Sequence, residues 1–326
     1  MKSLPTLLLL VAGLFLPPPA HAAEERDLIL VIGAPGDPEY AEQFSAAADL
    51  WQKAAAKGGL KTRVIGLGAA SAEDDRTRLL SVLAENASRN AGELWLVFIG
   101  HGTFDGRTAK FNLRGPDISA EDLAAALKPC HRPLAIIQCA SASGPFLPAL
   151  SAPGRVIITA TRSGSEVNAT RFGGYLARAI ADPAADLDKD GQTSLLEATL
   201  MAARQTAQYY KEEGLLATEH PLIDDNGDGL GTPPDWFEGV RAVKTAEGGK
   251  SADGVRAHQM VLVGSEAEQK LDPAARAQRD KLEQDLGALR AKKAQLAEDD
   301  YYRQLEGVLV QISRLYQPAP QASAQK

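Results

Sequence analysis

Cysteine is nearly absent from this chain: Cys130 and Cys139 are the only two among 326 residues. Beyond Leu16 no apolar run approaches the roughly 18 residues that a membrane-spanning helix needs, so no span is expected. A basic tract is missing as well. The formal net charge of -7 and a pI near 5.4 argue against nucleic acid as a partner. The chain has no GxxxxGK[ST], HExxH or GxSxG pattern and no internal repeat, which sets aside P-loop nucleotide binding, zinc-helix peptidases and the serine elbow of the α/β-hydrolases.

At the amino terminus, Lys2, the apolar run Leu7–Leu16 and the small-x-small triplet Ala20-His21-Ala22 form a signal peptide over residues 1–22. The reading is a protein exported across the inner membrane, periplasmic or extracellular and soluble, starting at Ala23. In an oxidising compartment two cysteines ordinarily pair. Here "RPLAIIQ" lies between them as a continuous strand, and at about 3.3 Å per residue it carries the two Cα atoms well beyond the roughly 7 Å a bridge allows. Cys139 is therefore expected as a free thiol.

With 44% hydrophobic and 24% charged residues, the chain can bury one sizeable core plus an appendage. Strand-like "LILVIG", "TRVIGL", "LWLVFIG", "LAIIQ" and "RVIITA" alternate with helical patterns near 41–57, 72–89 and 171–180. Continuous apolar strands alternating with helices predict an α/β fold, a mostly parallel sheet covered on both faces. Ligands of such sheets sit beyond the carboxyl ends of the strands. Two of those ends carry reactive side chains: His101-Gly102 follows "LWLVFIG", and Cys139 follows "LAIIQ". Between them Ser119 and Asp122 form a capping box that opens a helix.

A histidine beside a cysteine makes a thiol–imidazole pair, in which His101 takes the proton of Cys139 and later protonates a leaving amine. The N–H of Gly102, with that of Cys139, is positioned to hold a tetrahedral oxyanion, and the small residues Ala140 to Gly144 leave room for substrate. "VFIGHG" followed by "LAIIQCASASG" resembles the legumain and caspase superfamily of cysteine peptidases, nearest the legumain-type branch. That resemblance implies a caspase-like catalytic domain over 23–245, with His101 as general acid/base, Cys139 as nucleophile and Gly102 as oxyanion donor. Its pocket-lining segments correspond to residues 38–44 and 159–168, where Glu42 or Glu166 favours a basic residue before the scissile bond and Arg162 an acidic one. Ala140 departs from legumains, which carry an acid there; Ala41-Glu42 stand where legumains carry Arg-His, so asparagine preference is not implied.

"DLDKDGQTSLLE" fits the twelve-residue calcium loop position by position. Asp186, Asp188 and Asp190 supply carboxylates, Gly191 the turn, Gln192 a carbonyl, Ser194 the ninth position and Glu197 the bidentate ligand, so Ca2+ is the expected cofactor. "DDNGDGLGTPPD" is a weaker second match, through Asp224, Asn226, Asp228 and Asp235, with Pro233-Pro234 forbidding the usual exiting helix. Residues 246–271 read as a linker. Residues 272–317 carry two apolar repeats out of step across Glu298-Asp299-Asp300, which predicts a helical hairpin that packs on the catalytic domain, dimerises or covers the cleft. Residues 318–326 read as a disordered tail. The expected activity is that of a calcium-stabilised cysteine endopeptidase acting on protein or peptide; the alternatives are a non-catalytic calcium-binding scaffold of the same fold and a transamidase.

Overall fold

A computed structural model describes residues 25–69, 71–89 and 91–317. The expected signal peptide and the tail 318–326 lie outside the described residues. In chain order, β1 (Asp27–Ile32), α1 (Pro38–Lys57), β2 (Lys61–Ile65), α2 (Asp75–Ala87) and β3 (Leu94–Ile99) are followed by three short strands, β4 (Gly102–Phe104), β5 (Ala109–Phe111) and β6 (Ile118–Ser119). Then come α3 (Ala120–Leu127), β7 (Leu134–Gln138), α4 (Phe146–Leu150), β8 (Arg155–Thr159), α5 (Phe172–Ala179), α6 (Leu195–Glu212) and β9 (Leu222–Asp224). Six strands form one sheet in the order β2-β1-β3-β7-β8-β9, parallel except for the short edge strand β9. This is the expected α/β sheet flanked by helices.

Alternation along each strand divides the core in two. Leu28, Leu30, Val97, Ile99, Ile137 and Cys139 face one side, under Trp51 of α1, Phe172 and Leu176 of α5 and Leu195 of α6. Ile29, Val31, Leu96, Phe98 and Ile136 face the other, under Leu79 of α2 and Leu123 of α3. Burial on both faces is why β1, β3, β7 and β8 read as unbroken apolar runs. Ser119 caps α3 as the sequence predicts: its hydroxyl accepts from the Asp122 N–H at 3.0 Å, and the Asp122 carboxylate accepts from the Ser119 N–H at 3.3 Å.

After the small hairpin β10 (Phe237–Glu238) and β11 (Arg241–Ala242), the chain forms α7 (Val255–Gln259), α8 (Glu266–Gln269), α9 (Pro273–Ala291) and α10 (Glu298–Leu315). The last two are the expected helical hairpin, joined through Lys293–Gln295. The stretch expected as a linker behaves differently over 257–262. Ala257, Met260 and Leu262 are buried in the core beside α6, the Leu195 N–H donates to the Met260 carbonyl at 2.8 Å, and the Arg26 guanidinium donates to the carbonyls of Val261 and Leu262. Its Gly and Ser content hid a short apolar patch, and that patch completes the packing over α6.

Candidate functional site at the strand ends

β3 and β7 are neighbours in register, so the residues that leave their carboxyl ends emerge side by side. His101 and Cys139 both issue from the α1/α5 face, as the alternation requires. Their environments are nonetheless separate. The His101 ring packs edge-on against Tyr40 and Phe44 of α1, with ring centroids at 4.5 Å and 5.2 Å. Its Nε2 lies 3.2 Å from the Pro35 carbonyl, an acceptor, so Nε2 carries the proton. Burial lowers the His101 pKa, and the Pro35 carbonyl opposes that shift. Among the described residues His101 makes no hydrogen bond to Cys139.

The Cys139 side chain is sealed. The residue is 2% exposed and lies beneath α5, where a methyl group added at Gly173 would come within 2.6 Å of its Cβ and 3.1 Å of its Sγ. Burial pushes the thiol up to about 12, and the nearby Glu219 carboxylate adds to the rise. Cys130 is also buried and free, so the two cysteines form no disulfide.

Both backbone donors assigned to an oxyanion are engaged within the fold. The Gly102 N–H donates to the Ser141 hydroxyl at 3.1 Å, and that hydroxyl donates back to the Gly102 carbonyl at 3.0 Å. The Cys139 N–H donates to the Phe98 carbonyl at 3.0 Å, continuing the sheet ladder. A Cβ at position 102 would meet the Ser141 carbonyl at 2.2 Å, so this approach of the two strand ends requires glycine. The chain leaves β7 through Ala142 at φ 52°, a left-handed conformation uncommon for alanine, and the Ala142 N–H donates to the Glu166 carbonyl at 2.7 Å.

No protein-family model matches the chain, and no curated protein matches it. Solved structures do. A structural-genomics protein of Geobacter sulfurreducens matches over 61% of this chain and 92% of its own, at 13% identity and a TM-score of 0.41. Caspase-1 from Spodoptera frugiperda matches over 62% of this chain and 87% of its own, at 11% identity and a TM-score of 0.41. The Drosophila initiator caspase Dronc matches over 61% and 79%, at 14% identity and a TM-score of 0.38.

The segments expected to line a substrate pocket hold their charges internally. Glu166 accepts from the Arg162 N–H at 2.9 Å, pairs with the Arg162 guanidinium at 3.3 Å and binds His220 Nδ1 at 2.5 Å. Its charge is therefore shared among neighbours rather than offered to a basic ligand. Glu42 lies on the outer surface of α1 beside a shallow depression that also holds Asp49. His220 could not be found from the sequence, because only the return of the chain through β9 brings it to Glu166.

The first acidic loop brings four of the expected ligand residues into two overlapping clusters. The Asp186 carboxylate accepts from the Lys189 N–H at 2.6 Å and the Gly191 N–H at 3.1 Å, with Gly191 at φ 88°. Carboxylate oxygens of Asp186, Asp188 and Asp190 lie within 4.8 Å of one another, and so do ligand atoms of Asp188, Glu197 and His258. Burial raises the Asp190 pKa, and the charges of Asp188 and Glu197 add to it. Clustered hard oxygens of this kind suit Ca2+. Ser194 caps α6, and Glu197 closes the loop by accepting from the N–H groups of Leu187 at 2.7 Å and Ser194 at 2.9 Å. The Gln192 side chain accepts from the Ser265 N–H at 3.0 Å, and His258 Nε2 lies 3.1 Å from Asp188. Both partners come from the segment read as a linker.

The second loop repeats the turn without the cluster. Asp224 accepts from the Gly227 N–H at 3.0 Å and the Gly229 N–H at 3.1 Å, the same pattern as Asp186. Asn226 Oδ1 accepts from the Asp228 N–H, and Asp228 accepts from the Leu230 and Lys250 N–H groups. Asp235 sits in the 3-10 turn Pro234–Trp236. Among the described residues, the groups of three or more ligating side chains within 4.8 Å of one another are those at the first loop, one of them including His258.

Proposed function

We propose that the chain is a calcium-binding scaffold protein on a caspase-like sheet, and that Cys139 serves its packing rather than peptide hydrolysis. One observation carries this reading: both N–H groups that an acyl-transfer site would aim at its oxyanion, those of Gly102 and Cys139, already donate to Ser141 and Phe98. An oxyanion site works by holding its donors free and preorganised until charge develops. The sealed, poorly ionised thiol supports the same reading, since the thiolate is the nucleophile. In the calcium role Asp186, Asp188 and Asp190 hold the ion, Glu197 completes the set after turning from its capping bonds, and bound calcium fixes the entry to α6.

The test is to incubate the full chain with calcium, reductant and a mixed peptide library, and to search for new termini by mass spectrometry. The expected result is no cleavage above background, alongside a calcium-dependent rise in melting temperature. Cleavage that disappears in Cys139→Ala would overturn the reading in favour of the peptidase, and transfer onto an added amine would favour the transamidase.

A further inference from the structure

A cavity of about 670 Å³ opens between α6 and the returning segment 217–239, a volume in the range of small-molecule sites. One wall is a face of α6, formed by Leu200, Ala203, Ala207 and Tyr210 at helical spacing. The opposite wall is the rigid run Pro233-Pro234 with Trp236 and Phe237. Arg162, Arg204 and His220 stand at its polar part, with Glu219 and Asp235.

The charges there are unequal in availability. Glu219 is buried and fully occupied: its carboxylate accepts from the Arg171 and Phe172 N–H groups at 2.9 Å and 3.1 Å and from the Tyr210 hydroxyl at 3.1 Å. Arg162 is paired with Glu166, which also fixes the His220 ring by its Nδ1. Arg204 is exposed and, among the described residues, has no hydrogen bond or ion pair. A guanidinium without an ion pair therefore stands beside an aromatic and proline wall, and the acids lining the cavity are the exposed Asp235 and the buried, hydrogen-bonded Glu219.

We propose that this cavity binds a small ligand with a carboxylate and an aromatic body, the carboxylate held by Arg204 and the ring laid against Trp236. The cavity contains neither His101 nor Cys139, although Arg162 comes from the segment that the peptidase resemblance assigns to the substrate pocket and Glu219 lies near the thiol. A guanidinium recognises a carboxylate through two parallel N–H bonds, and an indole face offers a flat apolar platform.

The probes are 3-phenylpropionate and its neutral amide, titrated into the full chain while tryptophan fluorescence is followed. Trp51 and Trp95 are fully buried, so Trp236 reports the cavity. The expected result is saturable binding in which the carboxylate is favoured over the amide by about tenfold, the difference made by one charge-assisted pair. Arg204→Gln should abolish that preference with the melting temperature unchanged, and Asp235→Asn should tighten the carboxylate. Equal affinity for acid and amide, a preference that survives Arg204→Gln, or no saturable binding of either compound up to millimolar concentration would overturn the proposal.

Discussion

The strand-end pair and the first acidic loop present opposite cases of a motif meeting its surroundings. At the strand ends, the groups named by the motif are turned inward: Gly102 to Ser141, the Cys139 N–H to Phe98, His101 to Pro35. In the loop, Asp186, Asp188 and Asp190 are drawn together although like charges repel, and Asp190 holds its proton more tightly, through burial first and the charge of Asp188 second. The loop carboxylates have protein partners too, the Lys189 and Gly191 N–H groups for Asp186 and His258 for Asp188; what sets them apart from the strand ends is that three of them converge within 4.8 Å of one another.

The largest effect expected from this contrast is calcium stabilisation. At a free concentration about a hundredfold above its Kd, calcium should stabilise the folded chain by about 2.7 kcal/mol, read as a rise in melting temperature that chelator reverses. Asp186→Asn with Asp188→Asn should remove the rise, and Asp224→Asn should leave it. Loss of the rise in Asp224→Asn alone would show that the second loop is the site that matters.

The packing of Cys139 predicts a somewhat smaller effect that separates two adjacent glycines of α5. Gly173→Ala drives a methyl group into Cys139 and should cost about 1–3 kcal/mol in denaturant unfolding. At Gly174 the added Cβ meets nothing nearer than an Arg178 nitrogen at 4.0 Å, so Gly174→Ala should be neutral or stabilising by up to about 1 kcal/mol. Equal tolerance at both positions would mean that the thiol is less confined than its burial indicates.

Ser141→Ala should have the smallest effect, about 1 kcal/mol, for the loss of one buried hydroxyl bonded to Gly102. It also frees the Gly102 N–H. Peptide cleavage that emerged in this variant would erase the contrast between the two regions, because it would make Ser141 a plug in a working oxyanion site.

The sheet was legible because doubly buried strands leave an unmistakable pattern, and the capping box at Ser119 and the turn at Gly191 were legible because their hydrogen bonds are local. The fate of Cys139 was not. Its cover comes from Gly173 on α5, and its N–H partner from Phe98 on β3, contacts that only the assembled sheet creates. The same holds for His258 beside Asp188 and His220 beside Glu166, each joined to its partner across a long loop of chain. The stretch 246–271 misled for a compositional reason: glycine and serine at 248–254 masked the buried residues Ala257, Met260 and Leu262 that follow.

The most direct test of the central claim is the alkylation rate of Cys139 in the native protein, followed by iodoacetamide labelling and peptide mapping from pH 6 to 9. A thiol held at about 12 instead of its ordinary 9.0 has about five hundred- to a thousandfold less thiolate across that range, and burial slows access further. The account predicts that Cys139 stays unlabelled over hours, that its slow rate climbs with pH throughout the range, and that His101→Ala changes nothing. Rapid labelling at neutral pH that levels off below pH 8 and slows in His101→Ala would contradict it, and would place an ionised, imidazole-paired nucleophile at the end of β7.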